Sequence, residues 1–171
     1  MNVLVGYATA HGSTREIAVR IGARLGEAGL EADVRPMSEV EVEEEDAYEA
    51  FVLGSAVHGQ AWLDAAKNFV HRNSDLFGVR PVWFFSVGMP DAMRGPWRRM
   101  ARKEGAVIID DLPDHIPYRT HRLLSGVISP SQLPFTGRVI FRLMGLRYGD
   151  YRDWPAIDAW ADGIARELCT P

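Results

Sequence analysis

Short apolar runs alternate with amphipathic helical patterns along the chain, and few folds accept that alternation. Asn2 to Tyr7 reads as a buried strand. Ser13 to Ala28 reads as a helix, because Ile17, Ile21 and Leu25 repeat every four residues beside Ala18 and Gly22, and Gly29 ends it. Leu30 to Arg35 is a second strand closed by Pro36, and Ala50 to Gly54 a third, unbroken as expected inside a parallel sheet. A helix with Leu63, Ala66, Phe69 and Val70 on one face follows. Val79 to Val87 reads as the fourth strand and Leu123 to Ser129 as the fifth. Trp154 to Leu168 is the last helix, with Ile157, Trp160, Ala161 and Ile164 turned inward. The pattern predicts an α/β fold, a doubly wound five-stranded parallel sheet with helices on both faces.

The segments between are less regular. Glu39 to Glu49 is acidic and reads as a solvated helix or loop. Asp91 can cap a helix carrying Arg94, Arg98, Arg99, Arg102 and Lys103. Ala106 to Ile116 predicts a short helix broken at Pro113, Pro134 to Leu146 a basic amphipathic helix, and Gly149 to Asp153 a polar loop.

Composition narrows the function. A chain of 171 residues, 47% hydrophobic and 25% charged, suits one domain over residues 1–171. The net charge of -4 does not draw the whole molecule to nucleic acid or anionic lipid. A single cysteine, Cys169, forms no disulfide within the chain, and no metal site is expected. The chain enters a strand pattern at once without a basic leader, and no apolar run reaches the roughly 18 residues of a membrane span. The expected location is the cytoplasm, with at most peripheral contact at the inner face of a membrane.

The loop after the first strand carries the first chemical signal. Thr9, Ser13 and Thr14 supply hydroxyls, and Gly12 lets backbone approach a ligand. The unpaired N–H groups of the following helix and its dipole favour an anion there. Ser13 and Glu16 also have capping-box spacing, so Ser13 either caps the helix or serves a phosphate. A dinucleotide fold would show G-x-G-x-x-G here and an acid after the second strand, and neither is present. A nucleoside triphosphate loop would need Gly-Lys-Ser/Thr, and no lysine precedes Lys67. The loops after the third and fourth strands, Ser55 to Trp62 and Ser86 to Pro90, would lie at the same sheet edge.

Tyr7, Thr9, Gly12, Thr14 and Ala18 together resemble the flavodoxin signature of an aromatic, Thr-x-x-Gly-x-Thr and a later Ala. Gly6 stands where that family usually has a bulky apolar residue. Gly54-Ser55-Ala56-Val57-His58-Gly59, Phe85-Ser86-Val87, Ser125-Gly126, the stretch Arg138 to Met144, and Gly149 to Trp154 extend the likeness over most of the chain. The whole chain resembles the flavodoxin-domain branch that includes menaquinone-dependent protoporphyrinogen IX dehydrogenase.

The resemblance implies a flavodoxin-like fold holding FMN without a covalent bond. It places Thr9, Ala10, His11, Gly12, Ser13 and Thr14 around the FMN phosphate, with His11 either on the phosphate or in solvent. It places Ser55, Ala56, Val57, His58, Gly59 and Trp62 on one side of the flavin ring, and Ser86, Val87, Gly88 and Met89 on the other. Trp62 either stacks on the ring or packs inward, and Met89 either contacts it or fills a gap. His58 is the candidate for proton handling, since an imidazole titrates near neutrality.

Two functions follow from the likeness. One is an FMN-dependent oxidoreductase that moves electrons from an organic substrate such as a porphyrinogen to a quinone. The other is a flavodoxin-type single-electron carrier between redox proteins. Carriers of low potential crowd acids around the flavin; the loop Ser55 to Trp62 has none and Ser86 to Gly95 has only Asp91, which favours the enzyme. The arginine-rich stretch at 94–103 either draws an acidic partner or porphyrin propionates, or is a solvated face. The helix Pro134 to Leu146 either docks on a membrane surface or packs on the protein's own core.

Overall fold

The computed structural model describes residues 1–40, 47–90, 107–113, 115–130, 136, 138, 141 and 147–170. β1 (Asn2–Ala8) leads into α1 (Ser13–Glu27) and β2 (Glu31–Pro36). β3 (Ala50–His58), β4 (Ala61–Trp62), α2 (Asp64–Arg72), α3 (Ser74–Val79) and β5 (Val82–Gly88) follow. β6 (His121–Ser125), β7 (Val127–Ile128), β8 (Gly149–Asp150) and α4 (Trp154–Cys169) complete the described elements. Five parallel strands lie in the order β2-β1-β3-β5-β6, with the short β4 antiparallel to β3. This is the expected doubly wound sheet.

Both faces of the sheet are covered, so its central strands are apolar on both sides. Val3, Val5 and Tyr7 join Val52, Trp83 and Phe85 under α1 and α4. Leu4, Phe51, Leu53 and Phe84 pack under α2 and α3 on the other face. On α1, Ile17, Ile21 and Leu25 are fully buried, each worth about 1.5–3 kcal/mol of apolar transfer. Two arginines of α1 also reach α4: Arg20 pairs with Asp158 and Arg24 with Asp162. Ion pairs this exposed contribute about 0–1 kcal/mol each, so the apolar seam decides the packing.

Close approach explains two glycines in the sheet. A Cβ on Gly54 would lie 2.1–2.3 Å from the Phe85 ring, which crosses that position. The space beside Gly6 is taken by Leu53 and by the buried Met37, so the missing side chain leaves no hole.

Several boundaries differ from expectation. Val79 ends α3 and is 82% exposed; the strand begins at Val82, because Pro81 has no N–H for the ladder and contributes only its carbonyl, to Phe51 N–H. The fifth strand runs over His121–Ser125 and stops at Gly126, whose N–H bonds to Gly88 and whose carbonyl takes the Tyr151 N–H. Val127–Ile128 pairs instead with Gly149–Asp150, turning part of the expected polar loop into one strand of a two-stranded antiparallel ribbon. In the stretch expected to be a helix from Ala106, a 3-10 turn over Val107–Ile109 is followed by turns, and Ile108, Leu112 and Ile116 plug the second core. The basic helix expected from Asp91 lies outside the described residues. Of the expected helix Pro134 to Leu146, positions 136, 138 and 141 are described and helical; Phe141 is buried and stacks on Tyr148.

Candidate functional site at the carboxyl edge of the sheet

α1 packs on one face of the sheet and α2 on the other. The chain therefore leaves β1 and β3 toward opposite faces, and a crevice opens between their carboxyl ends. Open α/β sheets bind ligands at this switch point. Beside it, over the carboxyl ends of β1 and β2 and the start of α2, lies a hollow of about 250 Å³ lined by Tyr7, Ala8, Thr9, Arg15, Pro36, Ser38, Leu63 and Ala65. A larger one, about 690 Å³, opens toward the amino ends of β1 and β2, and its Tyr48 hydroxyl is already given to Asp33.

The loop from Thr9 to Thr14 is tied from within. Thr9 Oγ1 accepts the Gly12 N–H at 2.9 Å. Gly12, at φ 94°, begins α1, and its carbonyl takes the Glu16 N–H. Ser13 is therefore the first helical residue and not the cap, and the capping-box reading is corrected. Its hydroxyl faces Gly126, where a Cβ would come within 2.9 Å of Ser13 Oγ. Glu16 instead pairs with Arg152. The N–H groups of Ser13, Thr14 and Arg15 precede the first intrahelical bond and face out of the helix end. Ala10 and His11 are exposed at the tip. Thr14 is fully buried and its Oγ1 has no hydrogen-bond partner among the described residues. An unmade bond on a buried hydroxyl costs about 1–3 kcal/mol, so a missing acceptor is the natural reading.

The stretch from Ser55 is a hairpin and not an open loop. β3 continues to His58, turns at Gly59 (φ 59°) and Gln60 (φ 66°), and returns as β4. Two residues with positive φ make the tight turn whose twist suits a hairpin. Ser55 is fully buried and its hydroxyl is committed, accepting the Leu63 N–H at 3.0 Å and donating to the Ala56 carbonyl at 2.9 Å. Ala56 and Val57 are half-buried, and His58 and Gly59 are exposed at the tip. Trp62 turns inward. It is 2% exposed, lies edge-on to Phe84 and donates its indole N–H to Ser86 Oγ at 2.7 Å, so it offers no face for stacking.

On β5, Ser86 is fully buried, Val87 is 5% exposed, Gly88 is half-buried and Met89 is exposed. Ser86 Oγ also meets His121 Nε2 at 2.8 Å. An indole N–H can only donate, so the Ser86 hydroxyl accepts from Trp62. Its own proton has no other acceptor among the described residues, which assigns it to Nε2 of the His121 tautomer that carries its hydrogen on Nδ1. Burial pushes His121 down to about 4. Nothing in the sequence singles out His121; only the register of β6 on β5 brings it beside Ser86.

Among the described residues near this edge, Asp64, Asp150 and Asp153 are engaged. Asp150 is bidentate to Arg152, with bonds of 2.8 and 2.6 Å, and is held below the usual carboxylate range by that hydrogen bonding. Arg152 is raised by the same bond, and its guanidinium also lies over Trp154. Asp153 caps α4 through the Ala156 N–H at 3.0 Å, and Asp64 pairs with Lys67.

The profile of the flavodoxin-domain family matches residues 4–153. The chain belongs to that family. This flavodoxin-domain chain is also 29% identical, over 89 residues, to the protoporphyrinogen IX dehydrogenase (quinone) of Escherichia coli K12; the match covers 52% of this chain and 49% of that protein. It thus spans about half the length of the curated relatives it matches. Among solved structures, oxidised flavodoxin 2 from Bacillus cereus superposes with a TM-score of 0.66 at 18% identity, over 98% of this chain and 99% of that one. Rubredoxin:oxygen oxidoreductase from Desulfovibrio gigas superposes with a TM-score of 0.64 at 13% identity, over 98% of this chain and 36% of that one. At such identities these two likenesses show the fold. Among the described residues no helix is long and apolar enough to cross a membrane.

Proposed function

We propose that this flavodoxin-domain chain binds FMN non-covalently at the carboxyl edge of its sheet and works as an oxidoreductase that delivers electrons to a quinone. One observation carries the cofactor: the Thr14 hydroxyl, buried without a partner among the described residues in the first turn of α1, at the switch point of a flavodoxin-type sheet. A phosphate oxygen supplies the acceptor that hydroxyl lacks, and the free N–H groups of the same turn suit its charge. In this conformation water does not reach Thr14 Oγ1, so loading requires the groups that cover it to move. Ser55 and Ser86 support the site from within through their own hydrogen bonds, while backbone at Gly59 and Gly88 and the exposed His58 would meet the ring.

When bound, FMN would supply the redox chemistry, taking two electrons and two protons from a reduced organic substrate and passing them to a quinone. His58 would hold or release a proton at the hairpin tip. The enzyme reading is favoured over the single-electron carrier by the engagement of Asp64, Asp150 and Asp153. Acids paired in this way disfavour electron density on a neighbouring flavin less than unpaired ones would. A porphyrinogen as donor rests on the partial match to the quinone-linked dehydrogenase.

The test begins with FMN titration of the purified chain, where one molecule bound per chain is expected. A chain that ignores FMN refutes the cofactor. The chemically reduced, loaded protein is then mixed with a menaquinone analogue or with redox proteins. Rapid electron transfer to the quinone supports the enzyme, and transfer to redox proteins alone supports the carrier.

A further inference from the structure

The hairpin that carries His58 and Gly59 has little to hold it. β4 has two residues and two rungs of pairing, and a ribbon that short is not stable alone. Its near side is fixed by the Leu63 N–H on Ser55. Its far side is fixed by Trp62, wedged edge-on against Phe84 and hydrogen-bonded to Ser86.

The Ser86 hydroxyl is oriented in turn by His121, 2.8 Å away. The three groups form a directional chain: indole N–H to serine oxygen, serine proton to imidazole nitrogen. Remove the acceptor at His121 and the serine proton, buried, is left without a partner. The serine then rotates and its oxygen leaves the line of the indole N–H.

We propose that His121 is a positioning residue for the flavin site, acting through Ser86 and Trp62 to fix the hairpin that carries His58 and Gly59. The inference rests on the FMN reading above for its consequence, but not for the chain of bonds. That chain spans three separate strands, β4, β5 and β6, and its middle member sits two residues from the carboxyl end of β5. Desolvation keeps the His121 ring neutral at pH 7, so one of its nitrogens is free to accept.

The experiment uses the full chain labelled with ¹⁵N, first without FMN. The Trp62 indole resonance is the one that Trp62→Phe deletes. In His121→Phe that resonance moves and its exchange with solvent quickens at least tenfold. With FMN added, Kd rises at least threefold and the visible band of the bound flavin shifts. His121→Gln, whose carbonyl can accept from Ser86, returns all three readouts toward wild type. Ser86→Ala cuts the chain at its middle and gives the same changes, which covers the case that His121→Phe does not fold. An unmoved indole resonance in both variants overturns the chain of bonds. A moved resonance with unchanged Kd and flavin band overturns the positioning role. Wild-type protein that takes up no FMN overturns the cofactor reading, and the positioning role falls with it, while the indole data still decide whether the chain of bonds exists.

Discussion

Acid should weaken this fold in a window set by one half-buried histidine. His121 stands at about 4 in the folded chain, against about 6.5 when unfolded. Below pH 6.5 the unfolded chain takes up a proton that the folded chain refuses. Stability is therefore complete above that value and falls as pH drops from 6.5 to 4. Below 4 both states carry the proton and this group takes nothing further. The full loss is about 3 kcal/mol, from about 1.4 kcal/mol per unit of pKa, and roughly 2.5 kcal/mol of it is gone at pH 4.5. Asp150 and Asp158, whose values are also lowered by arginine partners, lose their contribution at more acid pH, below the usual carboxylate value of about 3.9. The two windows are separate. Urea denaturation of wild type at pH 7 and pH 4.5 should show the loss, and His121→Gln should be less stable at pH 7 but nearly flat between the two. Equal losses in wild type and His121→Gln would refute the argument, because the slope would then belong to other groups.

Three more expectations come from single contacts. Thr14→Val replaces the unpartnered hydroxyl with a methyl, so the chain without FMN should gain about 1 kcal/mol in urea denaturation, while FMN binding measured by fluorescence titration should weaken by roughly 1–3 kcal/mol. Gln60→Gly removes a side chain held at φ 66°; the relief of about 1–2 kcal/mol exceeds the entropy that glycine loses, and thermal denaturation should show a net gain of roughly 0.5–1 kcal/mol. Gly54→Ala sets a methyl within 2.3 Å of the Phe85 ring and should destabilise by about 3 kcal/mol, visible as a lower urea midpoint.

The sheet was readable in advance because its evidence is local. β1 and β3 are largely apolar runs, and α1 repeats its apolar side chains at a helical spacing from Ile17 to Leu25. Each pattern has one cheap solution, burial on two faces or on one stripe. The loop from Thr9 to Thr14 was readable for the same reason, since its residues are neighbours in sequence. The family likeness added the cofactor that such a loop would hold.

Readings failed where a side chain answers to a distant partner. Ser13 has the spacing of a cap, but Gly12 takes a left-handed backbone and starts the helix first. Val79 is as apolar as any strand residue, yet Pro81 removes the N–H that would have joined it to the ladder. Trp62 could face either way in sequence. It goes inward because Phe84 offers a ring and Ser86 a hydroxyl, both supplied by β5. His121 carried no signal at all, since its partner is 35 residues away and meets it only across the sheet. The sequence by itself determined the five parallel strands, the first and last helices, and the layered class they must adopt. The tertiary structure decided which polar groups find each other there, because hydrogen bonds between strands depend on register, and register is settled only when the sheet closes.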